Sequence, residues 1–443
     1  MSRVDSLYAR LIRDEDERIC DGISDEACKH VPRNFFLIIL SSTLTKLGDA
    51  LSNPKTVLAW LMGYVGAPVA MIGFLVPIRE SGSMLLQIFI AGFVRKIAIR
   101  KWIWVSGSLL QFAAMAGIGF AAFYFEGNRA GWIMLVLLIV FSFSRGFSSV
   151  ASKDVQGKTI PRSRRGRLNG YTTAASGILV IIAGIFMLLR SAEKTDIRFY
   201  VYLIFFSGIL WLMGAVVYSR VNEYPGEISG GRVGFRDALS RLSLLKKERP
   251  FRNFIITRSL LLCSALSAPY YIILAQEYLG KDLYILGLFI VANGVATSIS
   301  APFWGKWADI SSRKVMVRAA MITAATGIVL FVIVTWLPGM NHSFWLYPLA
   351  FFVLGIAHSG VRLGRKTYIL DMAAGNRRTD YVAVSNTIIG VVLLITGGIG
   401  ALASFIPAQG IILILSLFGL AGAFTGQRLP EVEQSPVKGV PSP

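Results

Sequence analysis

The sequence predicts an all-α integral membrane protein of twelve transmembrane helices, set as two pseudo-symmetric six-helix bundles with both termini in the cytoplasm. Three observations lead there. Hydrophobic residues make up 54% of the chain and charged residues 16%, whereas soluble domains carry about 25% charged residues. Apolar runs recur at the length that crosses a bilayer: a hydrocarbon core about 30 Å thick and a rise of 1.5 Å per residue call for roughly 20 residues. Finally, the basic residues gather in every second gap between those runs, the asymmetry that fixes orientation in a membrane.

Residues 1–33 mix acids and bases and hold no apolar stretch of signal-peptide length, so they read as a cytoplasmic segment ahead of an uncleaved first span. The first six spans fall at about 34–58, 67–94, 102–125, 130–150, 169–190 and 199–219. The second six fall at about 253–275, 284–305, 315–337, 344–364, 382–404 and 408–426. The basic gaps follow spans two (Arg95, Lys96, Arg100, Lys101), four (Lys153 to Arg167), eight (Lys306, Arg313, Lys314) and ten (Arg362, Arg365, Lys366). The intervening gaps carry few cations, Arg190, Lys194 and Arg198 being the main exception. The longest gap divides the chain into bundles at 34–220 and 253–426, joined by a linker at 221–252 and followed by a cytoplasmic tail at 427–443. Within the linker, Phe235, Leu239, Leu242 and Leu245 share helical spacing, which predicts an amphipathic helix on the inner membrane face from Phe235 to Arg252.

A net charge of +20 is distributed as loop charge rather than as the basic stripe of a nucleic-acid-binding fold, so no nucleic-acid partner is expected. No G-x-x-x-x-G-K-[ST] phosphate loop, H-E-x-x-H or G-x-S-x-G occurs. A transporter rather than an enzyme is expected, without cofactor. Cys20, Cys28 and His30 lack metal-ligand spacing and read as reduced thiols and a loop histidine on a cytoplasmic tail.

The most specific motif is Gly305-Lys306-Trp307-Ala308-Asp309-Ile310-Ser311-Ser312-Arg313-Lys314, in the turn after span eight. It resembles the loop signature of the major facilitator superfamily, G-x-x-x-D-x-x-x-R-K. The resemblance implies a latch between the two bundles, in which Gly305 permits close helix approach, Asp309 faces a helix N-terminus whose dipole favours an anion, and Arg313 and Lys314 anchor the turn. By the same resemblance Asp309 is expected near the start of span five, around Gly166 to Gly170. The corresponding first-half loop keeps Gly92, Arg100 and Lys101 but has Arg95 or Lys96 where the acid belongs. Span five also lacks the Gly-Pro motif of many proton-coupled drug exporters of the superfamily.

Charges inside spans are costly in lipid and mark cavities or partners. Lys46 and Asp49 lie three residues apart on one face of span one, and Arg79 and Glu80 lie in span two. At 1.5 Å per residue, Lys46 is about 18 Å and Arg79 about 22 Å from the cytoplasmic ends of their spans, so all four fall near mid-membrane. Two readings stand. In one, Asp49 and Glu80 carry protons while Lys46 or Arg79 meets an anionic substrate group. In the other, Asp49 with Arg79, or Lys46 with Glu80, is a structural pair. Arg145 reads as a side chain snorkelling to the interface from the end of span four. His358 reads as a hydrogen-bonded neutral imidazole, and Asn293 and Asn386 as interhelical or cavity-lining amides. The expected function is secondary active transport of a small solute by alternating access, coupled to protons, by a monomer in the lipid bilayer of a bacterial inner membrane. A non-transporting receptor or assembly factor on the same scaffold, and a lipid translocase, are the alternatives.

Overall fold

The computed structural model describes residues 25–85, 90, 93–94, 96–189, 196–226, 244–372 and 376–432. The chain is helical, and ten of the described helices are long and apolar enough to cross a membrane. The first two expected spans are resolved instead into four shorter pieces: α1 (Val31–Leu51), α2 (Val57–Tyr64), α3 (Val69–Gly73) and α4 (Leu75–Leu85). Local chemistry sets the breaks. Pro54 disfavours helical geometry at Asn53, and Asn53 closes the turn by accepting from the Lys55 amide through its side chain at 2.9 Å and from Thr56 and Leu58 through its carbonyl. Gly66 then takes φ 74°, which an L side chain resists.

The ten long helices follow the expected windows within a few residues at most ends. They are α5 (Lys101–Tyr124), α6 (Gly127–Thr159), α7 (Arg162–Leu189), α8 (Ile197–Ser219), α9 (Arg249–Leu279), α10 (Leu283–Ala308), α11 (Ile310–Trp336), α12 (Leu346–Asp371), α13 (Asn376–Gly397, continued as a 3-10 turn Gly398–Ser404) and α14 (Ala408–Gln427). The largest departure is α6, which runs to Thr159 rather than ending near residue 150. The turn from α10 to α11 is made at Ser311, where φ −163° and ψ 104° leave the helical region. The linker stretch 227–243, the N-terminal 1–24 and the tail 433–443 lie outside the described residues, and with them most of the expected amphipathic helix. Its end appears as a short turn at Leu244–Lys247, just ahead of α9. Cys28 is disulfide-bonded, against the expectation of a reduced thiol, whereas Cys263 is free and buried in α9.

Among the first eight helices, α5 packs on α6 and α8, and α8 on α1; among the rest, α10 and α11 pack on α12, and α11 on α14. The two groups meet where α7 lies along α10, α4 along α13, and α3 against the turn Gly398–Ser404. Large apolar side chains cover the outer surface, among them Phe120, Phe186 and Ile299, as lipid contact requires. Tyr124, Trp132, Trp336 and Trp345, all well exposed, ring the end opposite the basic loops, where amphipathic rings suit the headgroup level.

Candidate functional site

A buried polar cluster sits where α1, α4 and α6 meet. The Asp49 carboxylate accepts from Arg79 at 2.7 Å and also from Arg145. The Arg79 guanidinium lies 4.5 Å above the Phe141 ring and that of Arg145 lies 5.8 Å from the Trp211 ring, so aromatic faces hold both forks in place. Lys46, one turn before Asp49, donates to Thr173 Oγ1 of α7 at 2.9 Å. Of the two pairings open in the sequence, Asp49 with Arg79 forms, and Lys46 turns to α7. Arg145 does not snorkel. Because α6 continues to Thr159, Arg145 sits fourteen residues from its end, about 21 Å at helical rise, and the nearby carboxylate is the available partner.

Adjacent residues on a helix point about 100° apart, so Arg79 and Glu80 serve different neighbours. Arg79 reaches Asp49, while Glu80 lies in electrostatic reach of Lys55 and of Arg365 from α12, as well as Arg79 and Arg145. Lys55, placed by the Asn53 turn, has its Nζ 2.9 Å from His358 Nε2, and His358 Nδ1 is 3.1 Å from Ser264 Oγ. With Lys55 as an ammonium, Nε2 accepts and Nδ1–H donates to Ser264, which fixes the tautomer. In α9, Arg258 donates to Ser385 Oγ and, at 3.0 Å, to Asn386 Oδ1. Asn293 accepts at its backbone oxygen from Thr297 Oγ1 at 2.8 Å, and its side chain faces Gly355 of α12.

Two adjoining cavities expose this cluster. The larger, about 570 Å³, reaches from Lys46, Asp49 and Arg145 to Lys153 and Gln156 beside the basic loops. The smaller, about 320 Å³, is faced by Arg258, Arg365, Lys366 and Asn386. Ser149 and Lys366 border both.

The opposite end is closed. Gln276 donates to the Trp60 carbonyl at 2.9 Å, Lys281 to the Gly63 carbonyl at 2.6 Å, and Tyr200 to the Lys281 carbonyl at 2.9 Å. Lys281 is aimed there by Gly280, whose φ of 92° turns the chain out of α9. A Cβ on Gly73 would lie 2.7 Å from Gly400 Cα, and one on Gly184 would lie 2.7 Å from Val291. Toward the basic end the same helices part: a Cβ on Gly170 or on Gly305 would meet nothing within 4 Å.

In this arrangement Gly305 of the loop motif therefore faces open space. Arg313 binds Glu431 at 2.7 Å and the carbonyls of Gln427 and Leu429 at 2.9 Å, and the Lys314 amide donates to Ser311 Oγ at 3.2 Å. The Asp309 side chain lies outside the described residues, as do Gly92 and Arg95. A matching clasp stands in the first half. Glu223 accepts from the amides of Arg100 and Lys101 at 3.0 and 2.6 Å and from Lys158 at 3.0 Å, and Lys101 Nζ donates to the Val221 carbonyl at 2.8 Å. Glu223 and Glu431 each lie four residues beyond the last residue of a helix, Ser219 and Gln427.

Sequence reasoning passed over Lys55, the depth of Arg258, and Arg365 as more than loop charge. The signal was present for the first two: each is a cation inside an expected span.

Residues 262–442 match the sequence profile of the Major Facilitator Superfamily, and the helical arrangement of the whole chain is similar in fold to several solved structures. Among solved structures, the chain is similar to a D-xylose-proton symporter at TM-score 0.68 and 13% identity, covering 90% of this chain and 98% of that one. It is similar to the nucleoside transporter NupG at TM-score 0.64 and 11% identity, covering 89% and 99%. A POT family transporter in complex with 5-aminolevulinic acid gives TM-score 0.66 at 10% identity, covering 88% and 95%. No curated protein matches the sequence. With ten described helices long and apolar enough to cross a bilayer, the chain is a multi-pass membrane protein.

Proposed function

We propose that the chain is a secondary active transporter working by alternating access in a bacterial inner membrane, as a monomer, with proton movement at Glu80 and Asp49 coupled to the passage of its solute. The observation that carries this reading is the shape of the interior: a cavity reaches Asp49 from the end bearing the basic loops, while side-chain and glycine contacts seal the other end. Rocking the two groups of helices about the α7–α10 and α4–α13 seams exposes the same cluster to the opposite side. By the positive-inside asymmetry, the open end faces the cytoplasm.

Glu80 is the better placed proton carrier. It stands on α4, a helix that packs along α13, and answers to charges on both sides of the interior: Lys55, Arg79 and Arg145 from one group and Arg365 from the other. Proton uptake at Asp49 would have to release two guanidiniums. In proteoliposomes, solute flux is expected to collapse with the pH gradient, and Glu80→Gln is expected to remove its pH dependence. Unchanged pH dependence in both Glu80→Gln and Asp49→Asn would show the proton role to be wrong. The loop motif acts in the other state on this reading: Gly305→Leu is expected to leave the present arrangement intact and to slow the return step, read as loss of exchange without loss of binding.

A further inference from the structure

We propose that the solute is a compact anion bearing a carboxylate or phosphate group, bound where Arg258, Arg365 and Lys366 face the smaller cavity; this deepens the transport reading above and names the chemistry of its site.

Charge balance is the first support. Among the described residues, the interior gathers Lys46, Lys55, Arg79, Arg145, Arg258 and Arg365 around two carboxylates, Asp49 and Glu80. Asp49 is taken by Arg79 and Arg145, both from the first group of helices. The cations of α9 and α12 share the remaining carboxylate, Glu80, at a distance.

Local satisfaction is the second. Among the described residues, no carboxylate lines the 320 Å³ cavity. Arg258 is only 6% exposed, its bonds go to neutral oxygens on Ser385 and Asn386, and its Nε is buried without a partner. Arg365 and Lys366 border the same space, and neither donates a hydrogen bond to a described residue. Desolvating a guanidinium without a counter-charge is expensive. A cation serving only orientation has no such expense, because it reaches water; Arg428, exposed just past the end of α14, is of that kind.

The donors also define the ligand. Guanidinium forks match the paired oxygens of a carboxylate or phosphate, and an ammonium adds a third, adjustable donor. The volume suits a small molecule, and Ser149 and Asn386 add neutral polar groups to its lining. Lys366 borders both cavities, so an anion entering from the open end meets it before reaching Arg258.

The test is calorimetric titration of the purified transporter with inorganic phosphate, succinate and glycerol 3-phosphate, beside neutral xylose and uridine, with flux of each measured separately in proteoliposomes. At least one anion is expected to bind saturably. Its affinity is expected to fall about 10- to 100-fold in Arg258→Gln and in Arg365→Gln, the loss of one charge-assisted contact, and to be unchanged in Arg428→Gln. Should Arg258→Gln fail to fold, Lys366→Gln and Arg258→Lys carry the same expectation of weakened anion binding. The inference is overturned if none of the three anions binds, if Arg428→Gln weakens binding equally, or if xylose or uridine binds and moves undisturbed by these variants. That last outcome would leave transport standing, whereas anion binding without any flux would overturn transport and leave the site.

Discussion

Asp49 gathers three helices on one carboxylate. With Arg79 from α4 and Arg145 from α6 on a single acidic group, neutralising it strands two guanidiniums. Breaking a fully buried pair from one side costs about 3–5 kcal/mol; Arg145 is a third exposed toward the cavity, so Asp49→Asn is expected at or somewhat below the lower end of that range, as a fall in thermal stability in detergent. Arg145→Gln alone is expected to cost less, since Arg79 keeps its partner, and the double variant Asp49→Asn/Arg145→Gln is expected to be less impaired than the two losses summed. Additive losses would show that the triad does not act as a unit. The sequence marked Lys46, Asp49, Arg79 and Glu80 because a charge in an apolar run stands out by composition alone. Which charge meets which was not legible, because it depends on how each helix is rotated and where it ends. Arg145 shows this: nine residues of helix beyond the expected end of span four moved it from the interface to the interior. Lys55 shows the converse, since only the turn at Asn53 and Pro54 carries it to His358.

At the level of elements, the long helices were legible because hydropathy and length are the same constraint in a bilayer. The stretch from Val31 to Leu85 was not, since its charges, Pro54 and Gly66 blur the window that defines a span. The glycine contacts were legible only as composition; their partners come from different ends of the sequence. Gly73 and Gly400 bring two backbones together where no flexible side chain can give way, so Gly73→Val or Gly400→Val is expected to pry open the closed end, read as increased labelling of a cysteine placed at Tyr64. Gly170→Ala, with no neighbour within reach of its new carbon, is expected to be silent in the same assay. The repeated clasps at Glu223 and Glu431 tie the start of α5 to the end of α8 and the start of α11 to the end of α14. Glu223→Gln is expected to be the more costly of the two in thermal stability, because Glu223 is fully buried and Lys158 and two backbone amides converge on it, whereas Glu431 is partly exposed.

For the molecule as a whole, the two groups of helices form a wedge, shut at the aromatic-ringed end and parted at the basic one. Its equilibrium with the opposite wedge is set by small terms. Lys281 contributes one of them, a charge-assisted bond to the Gly63 carbonyl weakened by solvent exposure. Lys281→Met is expected to shift the balance by about 1 kcal/mol, roughly fivefold in population, toward states open at that end. Spin labels at Glu126 and Met340, on the two sides of the closed end, would report it as a longer distance component; an unchanged distance distribution would exclude Lys281 as a tie.

The acceptors at that seal are main-chain oxygens: those of Trp60, Gly63 and Lys281 receive from Gln276, Lys281 and Tyr200. A carbonyl is present whatever side chain its residue carries. Sequence drift along 60–64 can therefore proceed without loosening these bonds so long as the helix holds, while drift at the donors cannot. In a saturation-mutagenesis map of this seal, tolerance on one face and intolerance on the other should stand side by side across a gap of three ångströms.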